Sequence, residues 1–343
     1  MQPSVDNRTD FVVHPQLLLD RDGEKLAAIV KASFELAPGD DTLELAPLLR
    51  ARGVRLADIP WGKPDESSIA YPADVCLRKP GTDVIVVACA HAPGGRPVPA
   101  FDVRVEVGSL AKSLRVHGLR VWREGGGGLT KARPATEVEL RYENAWGGYD
   151  DSDPAKIVEE PRNPIGRGKV RDASSLVDQP APQIEDAAHP ITSSRYDGPP
   201  GGVGAIGRHW EPRRKYAGTY DAGWLETRCP LPPDDLDDRF QLCAAPGLSA
   251  AKPLRGGEQV ALLNMLPSGA MRFTLPRVPL EISFVVPGRD PARFVPHLDT
   301  VLIDLLATSG DKPPAVEMVW RACVKAPRRV TEATVIVREL EAT

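Results

Sequence analysis

The chain has 343 residues, 42% hydrophobic and 26% charged, a composition that can bury a sizeable core and excludes a disordered tail. Its 43 Lys and Arg stand against 47 Asp and Glu, so the net charge of -4 supplies no global field for nucleic acid or an anionic membrane, and neither is an expected partner. Proline, at 35 residues, is roughly twice as common as usual and interrupts both helix interiors and central strands, which predicts short strands and long connections.

The N-terminus carries charges within its first ten residues and no uninterrupted apolar stretch, and no later run approaches the ~18 residues of a membrane span; a cytoplasmic chain is expected. Strands are predicted at 26–36 and 83–90. From Phe101 to Val107 apolar residues take every odd position and polar residues every even one, the pattern of a strand with one buried face. Gly108 and Ser109 turn this strand into a partner at 110–116, forming a hairpin. Gly125 to Gly128 read as a mobile loop tip, and 137–142 as another strand.

Between 147 and 207 the chain is dense in Pro, Gly, Asp and Ser without sustained periodicity, and its recurring aromatics and arginines point to an ordered, packed loop region. A short helix is predicted at 232–245, where Asp234, Asp235, Asp237 and Asp238 would favour the dipole at its N-terminus. Strands at 260–266, 272–275, 280–286, 298–305, 315–324 and 333–340 complete a set of about a dozen. The expected fold is mainly β, with antiparallel sheets in a sandwich-like arrangement, long Pro/Gly-rich loops and very little helix. Its organisation reads as a β-rich region 1–146, an irregular region 147–207 and a β-rich region 208–343, or as one continuous domain.

Motifs for chemistry are weak. Gly202, Gly204 and Gly207 match G-x-G-x-x-G, but no strand precedes them and Pro212 stands where a helix should run, so no dinucleotide site is expected. Asn163 to Lys169 lacks the Ser or Thr of a phosphate loop. Six histidines show no ligand spacing, there is no G-x-S-x-G, and the five cysteines lack a C-x-x-C pair and read as buried free thiols. No metal, cofactor or catalytic set is expected. The competing reading is a hydrolase whose site lies in the central region, built from Asp150, Asp151, Glu185, Asp186, His189 and His209.

The most informative segment runs from Ile206 to Trp224, where Arg208, Arg213, Arg214 and Lys215 alternate with Trp210, Tyr216, Tyr220 and Trp224. Trp, Tyr and Arg are the side chains most enriched at protein-binding hot spots. The other reading of the segment has its aromatics anchoring the loop on the β-core while the cations stay solvated.

A collinear series of motifs carries a resemblance. It runs through SSIAYPAD at 67–74, KPGTD at 79–83, AHAPGGRP at 90–97, LRYENAWGG at 140–148, NPIGRG at 163–168 and IED at 184–186. It continues through the 210–224 segment, LRGGE at 254–258, LDT at 298–300 and WRA at 320–322. On these the chain resembles domain-of-unknown-function family 2169, whose members are associated with bacterial type VI secretion effectors. The resemblance implies a non-enzymatic adaptor or chaperone that grips a secreted effector in the cytoplasm and aids its loading onto the spike protein. A structural component of the secretion apparatus is a further alternative. On physical grounds the candidate contact residues are Arg96, Arg167, Arg208, Trp210, Arg213, Tyr216, Tyr220 and Trp224. Pairing of an exposed sheet edge with an extended client segment is a second binding mode.

Overall fold

The structure, a computed structural model, describes residues 2–36, 43–46, 51–123, 128–306 and 313–341. Strands of five or more residues are β1 (Ser4–Arg8), β2 (Val12–Asp20), β3 (Gly23–Leu36), β4 (Thr82–Val87), β5 (Ala100–Val107) and β6 (Leu110–His117) in the first half of the chain. In the second half they are β7 (Gln259–Leu263), β8 (Ala270–Thr274), β9 (Leu280–Val285), β10 (Leu298–Asp304), β11 (Ala315–Lys325) and β12 (Thr334–Glu339). The fold is mainly β and mostly antiparallel, as the alternating patterns require.

Three sheets carry the architecture. The largest runs Ser249–Ala250, β4, β10, β11, β3, β2, with Leu43–Leu45 paired to the end of β3; within it β4 and β10 are parallel. The second runs Ile184–Asp186, β6, β5, β7, β8, and the third β1, β12, β9, Ala292–Phe294. The largest sheet thus interleaves strands from both ends of the sequence. One apolar cluster draws on all three sheets, among them Val30, Val86 and Val301 of the first, Val103 and Leu114 of the second, and Ile282 and Val337 of the third.

The opposite face of the largest sheet is unusual. Register aligns Asp83 with Thr300, Thr300 with Val319 and Val319 with Lys31. Because strand side chains alternate, Lys31, Asp83, Thr300, Asp304, Glu317 and Arg321 project from one face, and all six are buried. Irregular chain from residue 51 to 79 covers them. Lys31 Nζ lies 2.7 Å from Glu317 Oε2 and 2.8 Å from Asp74 Oδ2, and donates to the Gly53 carbonyl at 3.0 Å. Arg55 reaches Glu317 at 2.7 Å and Asp74 at 3.1 Å, and Arg52 bridges Glu317 and Asp304. Lys31, Arg52 and Arg55 therefore balance Asp74, Asp304 and Glu317. A second buried set lies alongside: Lys79 Nζ donates to Asp83 at 2.7 Å and Thr300 at 3.0 Å, and Arg321 donates to Asp299 at 2.9 Å and to Cys76 Sγ.

Several expectations need correction. No helix forms at 232–245; a 3-10 turn at Asp238–Gln241 is all the segment holds, because its aspartates serve other partners. Asp234 pairs with Arg228, Asp235 accepts from Thr219, Asp237 from Arg239, and Asp238 pairs with Arg78. The α-helix is instead α1, Ala222–Thr227, capped by Asp221 Oδ1 on the Trp224 amide at 2.8 Å. The sequence reading missed β2, whose Pro15 is tolerated because β2 is an edge strand. Cys89 and Cys243 are buried free thiols, but Cys229 is exposed. Of the glycine run at 125–128, all but Gly128 lies outside the described residues. No described helix is long and apolar enough to cross a membrane.

Burial alone would raise the Glu317 carboxyl, but Lys31 and Arg55 hold it down at about 2. Asp304 goes the other way: burial pushes it up despite the neighbouring Arg52. A carboxyl depressed in the folded state stabilises fully above its unfolded pKa of ~4.3 and loses that contribution as pH falls toward the folded value. Glu317→Gln removes one of the two carboxylates that Lys31 and Arg55 share, leaving three buried cations against Asp74 and Asp304, and is expected to cost about 3–5 kcal/mol in urea unfolding, with Asp304→Asn costing less. Wild-type urea midpoints should fall between pH ~4.5 and ~2 more steeply than those of Glu317→Gln; equal slopes would remove Glu317 as the titrating group.

Candidate functional site

The irregular central region packs as an ordered layer. Trp146–Gly147 pairs with Arg167–Gly168 and Tyr149–Asp150 with Val158–Glu159, over a second apolar cluster of Trp122, Trp146, Leu176, Ala181 and Ile191. Asn163 is fully buried and its side-chain amide donates to the carbonyls of Tyr142 and Trp146, both at 2.9 Å. Arg167 is half-buried and donates to the Glu143 carbonyl at 2.7 Å and Asn144 Oδ1 at 2.9 Å, so this candidate contact residue is held as an internal brace.

Ile206, Trp210 and Tyr142 form a third small cluster, with Tyr142 and Trp210 edge to face at 5.3 Å between ring centroids. The glycines of the G-x-G-x-x-G match serve this packing. A Cβ at Gly202 would stand 2.5 Å from the Tyr142 ring, and one at Gly207 2.9 Å from the Trp210 ring. They admit aromatic rings; they do not cradle a pyrophosphate.

The 206–224 segment divides into buried and exposed parts. Trp210 and Arg213 are buried, and Arg213 donates to the carbonyls of Ile206 at 2.8 Å and Phe240 at 3.0 Å. These two candidates therefore hold the segment from within. Tyr216 is half-buried beneath Arg239, whose guanidinium lies 4.2 Å from its ring centroid. Tyr220 is 56% exposed and packs edge to face on Trp224 of α1 at 4.8 Å, while Trp224 Nε1 donates to the Leu231 carbonyl. Arg208 is exposed, and Arg96 is exposed on the 93–97 turn of a different loop.

What the fold brings together is a cleft of about 570 Å³. One wall is the Ile59–Pro60 and Ile69–Tyr71 hairpin, which contributes Pro60, Pro64 and Ile69; the other is the central layer, with Tyr149, Pro164 and Ile165. Gly207, Arg208, His209 and Trp210 also line it. Its polar groups are Asp58, Asp65, Ser67 and Glu159, together with Arg208 and His209. Of the eight candidate residues, Arg208 and Trp210 share this cleft.

Histidine–carboxylate contacts lie elsewhere. His189 meets Asp186 within one exposed turn, at 3.0 Å. His117 meets the buried Glu185 at 2.7 Å, but Glu185 also accepts from Arg120 and the Ile191 amide, and the three hold its carboxyl down against burial. Neither pair lines the cleft. Among the described residues no group of three or more His, Cys, Asp or Glu is arranged to hold a metal ion.

A family described as an uncharacterized protein conserved in bacteria (DUF2169) matches residues 21–321. The chain belongs to that family. No curated protein and no solved structure matches it. The DUF2169 match spans the whole cleft lining and both buried ion sets, up to Arg321.

Sequence reasoning missed those ion sets, although a signal was present: Lys31 interrupts an apolar run in β3, and Glu317 and Arg321 interrupt another in β11. Within the 206–224 segment, Trp210→Ala removes a buried ring and Arg213→Ala leaves two carbonyls unpaired, so each is expected to cost about 3 kcal/mol in urea unfolding. Tyr220→Ala, on the exposed side of the same segment, is expected to change stability by about 1 kcal/mol or less. Equal losses at the three positions would contradict the division of the segment.

Proposed function

We propose that this DUF2169 protein is a non-enzymatic adaptor that holds a secreted effector in the bacterial cytoplasm and aids its loading onto the spike of a type VI secretion system. The observation that carries the reading is the cleft, where three segments distant in sequence converge on an open, proline- and aromatic-rich surface. Such walls bind with little loss of side-chain freedom, because proline, tyrosine and tryptophan are stiff. Apolar walls with a few polar groups at their margin support recognition of a partner segment. An adaptor must also release its client, and a modest cleft with a few anchors suits reversible binding better than a large permanent interface.

The test is gentle purification of the tagged protein from its own host, with co-purifying chains identified by mass spectrometry. An effector or spike protein is expected with wild type, and Tyr149→Ala combined with Arg208→Ala is expected to recover about tenfold less of it. A chain that purifies alone while the secretion system is active would sink the adaptor reading.

A further inference from the structure

The cleft carries more negative than positive charge, and its ion pairs are loose. Asp58, Asp65 and Glu159 line it against Arg208, with Arg214 reaching Glu159 from outside the lining. Arg208 stands 3.7 Å from Asp58 and Arg214 3.5 Å from Glu159, both arginine side chains being about half exposed at 50% and 47%. Asp65 is exposed and has no partner among the described residues. Under the sheet, by contrast, Lys31 meets its carboxylates at 2.7 and 2.8 Å with essentially no exposure. Asp58 keeps one oxygen on the Ala73 amide at 2.7 Å, but long contacts to half-exposed arginines contribute little and exchange readily with an incoming charge.

Apolar surface borders the same carboxylates. The lining itself supplies Pro60, Pro64, Ile69, Pro164 and Ile165, and Tyr149, 52% exposed, lies on the two-stranded element that holds Glu159. Uncovered apolar side chains clustered beside carboxylates mark a surface for a partner that is apolar and cationic together.

We propose that the cleft receives an extended segment of the client protein in which Arg or Lys side chains alternate with apolar ones. The client's cations face Asp65 and Glu159, and its apolar side chains cover Ile69, Tyr149 and Ile165. An extended segment presents its side chains alternately to two sides, which suits a cleft with apolar walls and carboxylates at its margin. The inference rests on the adaptor reading and adds the chemistry of what is held.

The experiment pans phage-displayed random heptapeptides on the immobilised full-length protein and, in parallel, on Asp65→Asn/Glu159→Gln. Peptides selected on wild type are expected to pair Arg or Lys with Leu, Ile, Phe or Tyr, and a fluorescein-labelled consensus peptide should bind the double variant about tenfold more weakly. Wild-type binding should also weaken as salt rises. Asp65→Asn alone provides a folding-neutral check, because asparagine tolerates the positive φ of 62° at this position and the side chain is exposed; its affinity should fall in the same direction. Selection of acidic or uncharged peptides, no selection, or equal binding by wild type and variants would overturn the proposal. Full recovery of a co-purifying effector by the double variant would overturn it while leaving the adaptor reading intact, whereas absence of any co-purifying chain would strike the adaptor reading itself.

Discussion

The fold depends on a row of charges buried beneath its largest sheet. Lys31, Glu317, Asp304, Arg321 and Asp83 occupy inward positions where a sheet normally carries aliphatic side chains. A second sheet could not cover them, since its apolar face would leave each charge unpaired at a cost of several kcal/mol. Irregular chain can, because it brings backbone carbonyls and amides along with counter-charges. Lys31 takes the Gly53 carbonyl, Arg55 the Pro72 carbonyl, and Asp74 accepts the Arg55 amide. The 51–79 coil in turn needs these charges, as buried backbone without regular pairing must find polar partners. Each side satisfies the other, and neither has a reason to be there alone.

This mutual requirement positions the cleft. The coil anchored by Arg52, Arg55 and Asp74 contains the Ile59–Tyr71 hairpin that walls the cleft, and Tyr71 donates to Asp304 at 2.9 Å, tying the hairpin directly to the ion set. Glu143 fastens the neighbouring turn by accepting from the Ser68 amide and hydroxyl at 2.8 and 2.7 Å. On the far wall, Asn163 and Arg167 bind the central layer to the 142–146 turn, and the Tyr142–Trp210 contact locks the segment that carries Arg208. Both walls of the cleft are thus tied to the core although few of its residues lie in regular structure.

Much of this was legible in the sequence, for reasons that can be stated residue by residue. The period-two run from Phe101 to Val107 permits only one strand face to be buried, and its valines are indeed fully buried. The wholly apolar runs at 84–87 and 301–303 are central strands flanked on both sides. What sequence could not supply is pairing across long separations. The aspartates at 234–238 resemble a helix start, but Arg78 and Thr219 compete for them from elsewhere in the chain, and the local pattern gives no sign of either. Trp210 and Arg213 likewise have hot-spot character by residue type alone. Their burial follows from Tyr142 and Phe240, which contact them from 68 and 27 positions away along the chain.

The contrast between the two kinds of ion pair separates structure from recognition in this protein. Glu317 sits where three cations converge and cannot be traded for solvent without unfolding the coil above it. Glu159 has its partner at 3.5 Å on a half-exposed arginine, a geometry worth little to stability and therefore available for exchange, whereas Asp58 faces Arg208 at 3.7 Å but keeps one oxygen on the Ala73 amide at 2.7 Å. In this chain the Arg55–Glu317 pair beneath the sheet closes to 2.7 Å, while the cleft pairs do not. On the proposed reading, loose charges at the mouth of an apolar cleft draw in an oppositely charged segment, and the apolar walls hold it once water has left.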